Sequence, residues 1–529
     1  ETALMSHQAV EQALCQIESN ASGEKQLTAT MQLIDKDNLD LNELRVFLSE
    51  SVMEQSIPSV YYSVESFGTT ANGKVDRDNV QQLDRSLLEY STEYREVTTV
   101  ESKLMLVWAK VLGFSNICPD TPFYFQGGNS LLVPRMVELI NKGFNSKISA
   151  GQFLQYSSVA EMASLLEGGV ARFNFQQEII LAEDIQPLDN CSITHLPQKI
   201  LLTGASGFLG AHLLSDLCVM TDANIICLVR APSLDDARNK LKDNLARYGF
   251  EKLLLGSRVE VLVADLSKPN FDLSEDDYSR LCEEIDSIYH NGAFVHHLYN
   301  YQTLKSVNVD STVDMLRLAS THHNKALFFI STSSAITDID GDGYLAEKLP
   351  TSTSQSPQGG YSQSKWVAEC LLQQASERGF HVKVFRPSAI MGQSNTGVCA
   401  AEDNHLFSLI KGCLQLGVTP DWDMPINMLP VDFVSLSIVL LSKQYDNSHN
   451  IFNVVSQEML SWRELMEWVS LHCSPLRLVS DQEWKDTILP NITEENALYR
   501  LLPDYESGDD GADVLTSTED KIRLDNAKS

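Results

Sequence analysis

From Lys199 onward, short apolar, β-branched runs alternate with helical patterns, and that alternation restricts the fold more than any other feature. The runs are KILLTG, ANIICLVR, RVEVLVADL, SIYHNGAFV, ALFFISTSS and HVKVFRPSAI. Runs with no polar alternation are strands buried on both faces, and the helices between them supply the cover. The pattern therefore predicts a doubly wound α/β fold around a parallel sheet. The first run leads into ILLTGASGFLGAHLLSDL, which sets Gly204, Gly207 and Gly210 between strand and helix. In that context the glycines provide what a dinucleotide pyrophosphate needs: a tight turn, close backbone approach and helix N–H groups facing the anion.

The second run ends at Arg230, where a site for the unphosphorylated cofactor would place an acidic residue on the ribose hydroxyls. Arginine pairs instead with a 2′-phosphate, so NADPH is the expected cofactor. Asp265 closes the third strand beside the adenine, and HNGA, His290 to Ala293, lies where the fourth strand borders the cofactor. The expected cofactor contacts are Thr203, Gly204, Gly207, Phe208, Leu209, Gly210, Arg230, Asp265, Leu266, Asn291, Ala293 and Pro387. Further along, GGYSQSKWVAE places Tyr361 and Lys365 four residues apart, on one face of a helix. A phenol with pKa about 10 is a poor acid–base group at neutral pH, and a neighbouring ammonium is expected to lower it towards a useful range. FFISTSSA offers hydroxyls at the C-terminal strand end, where Thr332 or Ser333 could donate to a carbonyl oxygen as negative charge develops. His296, His297, Asn308 and Trp366 are assigned to packing or local hydrogen bonding.

At 529 residues the chain is too long for one ordinary domain. Acidic residues outnumber basic ones 71 to 40, for a formal charge of -31, which argues against nucleic acid as the main partner. No run of about 18 apolar residues and no basic-then-apolar leader occurs, so neither a membrane span nor a signal peptide is indicated. The ten cysteines form no C-x-x-C and no zinc spacing, which implies reduced thiols, no metal and a cytoplasmic location. Both ends look cut, as in a piece of a larger protein. Residues 1–80 read as a small α+β unit with helices near Glu1–Ile17 and Leu41–Gln55, a strand near Leu27–Ile34, and an Asn72–Gly73 turn carrying Lys74. The charged stretch DRSLLEYSTEYREVTT is linker or helix. From about Thr98 to Gly169 a helical bundle is expected. It contains GGNSL, in which Ser130 either caps the following helix with Asn129 or is left uncovered for modification by the two preceding glycines. Residues 170–197 read as a linker. Past residue 395 the alternation weakens into helices and loops, which suits a substrate-covering part, and DYESGDDGADVLTSTED reads as a solvated loop or tail.

With these residues in hand, nearly the whole chain resembles the C-terminal part of an adenylation–carrier–reductase protein. Such proteins are the terminal modules of nonribosomal peptide synthetases and the related carboxylic acid and aminoadipate reductases. The resemblance implies residues 1–85 as the C-terminal subdomain of an adenylation domain, TANGKVDR carrying its lysine, Lys74, with the large N-terminal adenylation subdomain lying elsewhere in the full-length protein. It implies 96–169 as a peptidyl carrier domain in which Ser130 receives 4′-phosphopantetheine from a phosphopantetheinyl transferase. Asparagine stands in GGNSL where histidine or aspartate is frequent in the family. It implies 198–529 as a thioester reductase of the extended short-chain dehydrogenase/reductase family, with a Rossmann core over about 198–395 and a substrate-covering part over about 396–529. The triad carries over as Thr332, Tyr361 and Lys365, with Ser333 an alternative to Thr332. The implied reaction is hydride transfer from NADPH to a carrier-bound acyl or peptidyl thioester, releasing an aldehyde. Two rivals are a nucleotide-sugar epimerase or dehydratase acting on a free substrate, and a non-catalytic carrier platform.

Overall fold

The structure is a computed structural model. It describes all residues except 20–24, 35–38, 50–56, 59, 69–76, 78–79, 81–82, 89–96, 114–116, 129–131, 149–151, 154–155, 169–174, 190–192, 257, 297–298, 338–343, 346, 352–355, 358, 401–403, 445–449, 494, 500–522 and 525–529. Lys74, Ser130, His297 and the acidic tail segment therefore lie outside the described residues. The chain divides into two compact units, residues 1–172 and residues 173–502.

The first unit opens with a four-stranded sheet in the order β1 (Val10–Ser19), β2 (Lys25–Leu33), β3 (Val60–Val64), β4 (Ser86–Leu87). The expected helix at Glu1–Ile17 is reduced to Thr2–Met5, and the rest is β1, paired antiparallel with β2. The reason is tertiary. A register shift between Val10 and Gln12 changes the parity of the strand. Val10, Ala13 and Cys15 then face one apolar cluster while Leu14 faces another with Val64, Phe67 and Val80. A strand that contributes apolar side chains to both faces shows no period of two, and its Ala-Leu-Cys sequence imitates a helix. Helix α1 (Leu41–Ser49) buries Leu41, Leu44 and Leu48 on one face and carries the chain over to β3, which lies parallel to β2.

Three helices follow: α2 (Thr99–Leu112), α3 (Val133–Phe144) and α4 (Val159–Leu166). The first and third start at capping boxes, Thr98 with Glu101 and Ser158 with Glu161, which satisfy orphan N–H groups in both directions. Their core is Trp108, Phe123, Met136, Ile140, Phe153 and Met162, all fully buried.

The second unit is built on seven parallel strands, β5 (Lys199–Thr203), β6 (Asn224–Val229), β7 (Val259–Val263), β8 (Ser287–His290), β9 (Ala326–Ile330), β10 (Val382–Pro387) and β11 (Ile451–Val454). Their spatial order is β11-β10-β9-β8-β5-β6-β7. Helices α5 (Phe208–Met220) and α6 (Leu234–Arg247) cover one face. The other face is covered by α7 (Glu275–Glu284), by α8, a continuous run through Tyr301–Lys305, Ser306–Asp310 and Ser311–Ala319, and by α9 (Gly360–Glu377). The expected split at residue 395 fails, because β11 pairs with β10 and α10 (Val431–Ser442) packs on α5, where Ser435 Oγ donates to Asp216 at 2.5 Å. At four residues, β11 is too short to register as a periodic run. The segments between carry short two-stranded pairs and the helices His405–Leu416 and Trp462–His472. Among the described residues no helix is long and apolar enough to cross a membrane.

The expected linker is a second correction. Residues 175–188 form a strap on the second unit: Ile179, Leu181 and Ile185 are buried in the core under α8 and α9. Arg378 donates to the carbonyls of Leu181, Ala182 and Ile185, and Gln374 bonds Ile179 and Leu181. Glu178 accepts from Tyr301 Oη and Lys305 Nζ, each at 2.8 Å. Proline and weak periodicity make the segment read as loop, yet its backbone polar groups are met by side chains rather than by a ladder. Burying a large aliphatic side chain stabilises by roughly 1.5–3 kcal/mol. A chain beginning at Phe173 should therefore unfold at a clearly higher urea concentration than one beginning at Pro197; equal midpoints would show that the strap adds nothing.

Candidate active site and carrier loop

The parallel sheet opens a crevice where the crossovers leaving β5 and leaving β8 diverge, and the glycine turn after β5 lines it. Gly204 sits at φ +71, which favours glycine. A Cβ on Gly210 would lie 1.9 Å from the Gly204 carbonyl oxygen, so the helix can start this close to the strand only without a side chain there. Gly207 precedes α5 and supplies no side-chain cap, which leaves the first-turn N–H groups for an anion. Two asparagines hold the turn. Asn244 on α6, which the sequence did not single out, donates to the carbonyls of Ala205 (3.3 Å) and Gly207 (3.0 Å), and Asn291, an expected contact, donates to Gly204 (3.3 Å).

Across the crevice runs a directional hydrogen-bond chain. Ser311 Oγ donates its one proton to the Val307 carbonyl at 2.5 Å, so it accepts from His290 Nε2 at 3.1 Å. His290 Nδ1 is then the acceptor for Thr203 Oγ1 at 3.0 Å, and Thr203 Oγ1 accepts from Gly292 N at 2.7 Å. The chain requires a neutral imidazole. Burial, aided by the Lys365 charge, pushes His290 down to about 3, so it stays neutral. A Cβ on Gly292 would meet the Leu266 side chain at 2.5 Å, which places Leu266 against the same wall. Asp265 accepts from Ser267 N (2.9 Å) and Ser267 Oγ (2.8 Å) in a local turn at the end of β7. Arg230 follows β6 directly, and Lys240 on α6 donates to its carbonyl at 3.2 Å, which brings a second cation close to it. Phe208 and Leu209 open α5, and Pro387 ends β10. These features fit a dinucleotide.

The hydroxyl loop after β9 and the start of α9 meet beside this crevice. Thr332 Oγ1 lies 3.1 Å from Ser334 Oγ, which accepts from Ser362 Oγ on α9 at 3.0 Å. Thr332 also caps the short turn Ser333–Ala335, accepting from Ser334 N. Ser333 stands one residue further, half-buried. Lys365 Nζ donates to the Ile330 carbonyl at 2.8 Å and lies 4.5 Å from the Phe329 ring centroid. The expected lowering of Tyr361 by Lys365 is not what this arrangement produces. Burial raises the phenol above its ordinary value, and burial also drives Lys365 down to about 7, against the opposing pull of Glu369. Tyr361 is thus held as a proton donor. Asn308 bonds the Phe294 backbone and Ser364 Oγ, His296 stacks on Tyr299 at 3.7 Å, and Trp366 is buried against Phe175, in keeping with structural roles.

In the first unit, the two glycines before Ser130 have packing reasons of their own. Gly127 adopts φ 89 at the end of the turn Phe123–Gln126, and a Cβ on Gly128 would lie 2.4 Å from the Phe123 ring. The Gly128 carbonyl accepts from Arg45 Nη2 on α1 at 2.7 Å, and Arg45 is buried. The helix after the motif begins at Val133, and Asn129 and Ser130, the residues expected to cap it, lie outside the described residues.

Comparison with known proteins agrees with this geometry. A family profile described as "Male sterility protein", of NAD-binding type, matches residues 202–438, and one described as "Phosphopantetheine attachment site" matches 102–166. A linear gramicidin synthase polypeptide of Brevibacillus parabrevis is 30% identical over 482 residues, covering 88% of this chain and 9% of that protein. The large polypeptide of the L-2-aminoadipate reductase of Eremothecium gossypii is 29% identical over 510 residues, covering 87% of this chain and 37% of that protein. The chain thus spans a minor part of these relatives' length. The terminal R domain from the myxalamid PKS-NRPS biosynthetic pathway superposes with a TM-score of 0.59 at 32% identity, covering 67% of this chain and 89% of that structure.

The lysine value is open to direct measurement. The Cε chemical shift of ¹³C-labelled Lys365 in the cofactor-free chain should titrate near pH 7, with the cation on the acid side; a midpoint near the ordinary lysine value would refute the buried geometry.

Proposed function

The chain belongs to the terminal reductases of nonribosomal peptide synthetases and their aminoadipate reductase relatives, and we propose that it releases a carrier-bound acyl or peptidyl thioester reductively as an aldehyde. What carries this reading is the presence, in one chain, of a phosphopantetheine carrier domain and a parallel-sheet crevice ending in Thr332, Tyr361 and Lys365. The arm is attached at Ser130, and tethering there turns encounter into an intramolecular event at effective concentrations in the ~mM range. Residues 1–85 are the C-terminal subdomain of an adenylation domain, and Lys74 its loop lysine. The large adenylation subdomain and a phosphopantetheinyl transferase are the implied partners.

NADPH, held by the Gly204–Gly210 turn, Asn291 and Arg230, supplies the hydride when bound. The protein's own contribution is to orient the thioester and move one proton. Thr332, with Ser333 as the alternative, donates to the carbonyl oxygen as charge develops there. Tyr361, kept protonated by burial, passes its proton to that oxygen to give a thiohemiacetal, whose C–S bond then breaks as the hydroxyl loses its proton, releasing the aldehyde and the arm's thiol, which takes up a proton. Lys365 lies one turn along the same helix, positioned by Ile330, and holds the cofactor ribose. Arg230 and Lys240 together select the 2′-phosphate.

Tyr361→Phe should bind NADPH as the parent does while turnover falls by about 10²-fold or more, in line with the usual size of general acid catalysis. Arg230→Ala should raise the KM for NADPH at least tenfold and leave that for NADH unchanged; equal effects would remove the arginine from phosphate recognition. Incubation with coenzyme A and a broad-specificity phosphopantetheinyl transferase should add one phosphopantetheine by intact mass to the parent and none to Ser130→Ala.

A further inference from the structure

One turn beyond Lys365, α9 carries Glu369, fully buried and paired with Arg386, which is 1% exposed. Its Oε1 accepts from Arg386 Nε at 3.0 Å and from Ser331 Oγ at 2.5 Å, and its Oε2 accepts from Arg386 Nη2 at 2.5 Å. Arg386 Nη2 also reaches the Lys348 carbonyl at 3.2 Å. The four groups come from separate segments: Glu369 from α9, Arg386 from β10, Ser331 from the end of β9, and Lys348 from the loop before α9. A buried ion pair is a weak means of stabilising a fold, since apolar side chains of similar volume would often serve as well or better. Its position is more informative. Ser331 immediately precedes Thr332, Glu369 shares a helix face with Tyr361 and Lys365, and Arg386 adjoins Pro387.

We propose that Glu369 is a positioning residue for the reduction step, clamping the β9 hydroxyl loop and β10 onto α9 through Ser331 and Arg386. The proposal rests on the assignment of Tyr361 and Lys365 made above. The clamp also has an electrostatic side. Lys365 Nζ is faced by the Ile330 carbonyl and the Phe329 ring on β9, by neutral His290 on β8 and by Tyr361 and Glu369 on its own helix; Glu369 is faced in turn by Arg386 and Ser331. Among these groups Glu369 is the one carboxylate, and it opposes the loss of the Lys365 proton that burial favours. If the site works with Lys365 charged, activity is present below the lysine pKa and is lost as pH rises through it. Removing the carboxylate moves that limb to lower pH.

The test uses the full chain, its arm loaded from octanoyl-coenzyme A, with NADPH consumption followed against pH. Glu369→Gln keeps the shape and removes the charge. The expected result is a folded variant that binds NADPH within twofold of the parent, loses at least tenfold in kcat, and shows the alkaline limb shifted about one pH unit downward. A folded variant with parental kcat and an unmoved limb overturns the proposal. If Glu369→Gln does not fold, the double variant Glu369→Met, Arg386→Met replaces the pair by apolar side chains. In a folded double variant, reduced kcat at parental NADPH affinity supports positioning and parental kcat overturns it; failure of both to fold assigns the pair to stability and also overturns it. Tyr361→Phe in the same assay separates the two levels: undiminished turnover there removes the site assignment itself, whereas an inactive Tyr361→Phe beside a fully active Glu369→Gln removes only the clamp.

Discussion

The reductase-side unit depends on one hydroxyl. Thr203, at the end of the first strand of the parallel sheet, accepts from the Gly292 amide and donates to His290 on the fourth strand. Those two strands flank the point where the chain's crossovers part, and only there can a ligand approach strand ends without helices in the way. The Thr203–His290–Ser311 chain fixes the width of that gap with an uncharged set of donors and acceptors. Burial that would be costly for a cation is cheap for a neutral imidazole whose two nitrogens are both satisfied. The glycine turn, Asn291 and Asn244 then have a rigid frame to hold the start of α5.

How much of this is legible in the sequence follows from burial. Strands β5, β6 and β8 to β10 lie in the sheet interior and β7 at its edge; their apolar runs can be read off directly, as can the glycine turn and the Tyr361–Lys365 spacing on α9. The strand β1 reads as a helix because a register shift sends its apolar residues to both faces and erases the period of two. The strand β11 escapes a periodicity reading because four residues carry no period at all. The strap at 175–188 reads as a linker because its order comes from side chains of α8 and α9, which are distant in sequence. The chemistry is legible in its residues but not in its electrostatics. An ammonium four positions along suggests a lowered phenol; the folded site instead turns a buried ammonium to the Ile330 carbonyl and half-buries the phenol, and desolvation raises Tyr361 and lowers Lys365.

The carrier loop shows how one motif can answer to two demands. Gly127 and Gly128 are required by a left-handed turn and by the Phe123 ring, whatever happens to the serine that follows. The glycines before Ser130 are therefore evidence about packing first, and the family match over residues 102–166 is what gives the motif its chemical meaning. Arg45 adds a third demand by taking up the Gly128 carbonyl with a buried guanidinium.

The strap also bears on how such proteins can be recombined. A designer who cuts where the parallel sheet begins would leave Ile179, Leu181 and Ile185 attached to the donor's carrier and graft foreign residues onto the Arg378 and Gln374 side chains waiting for them. A cut placed ahead of Phe175 keeps the strap with the sheet it packs on. Exchange of such domains is then constrained less by the proposed catalytic residues, which travel together on the loop after β9 and on α9, than by the short stretch ahead of the sheet that looks expendable.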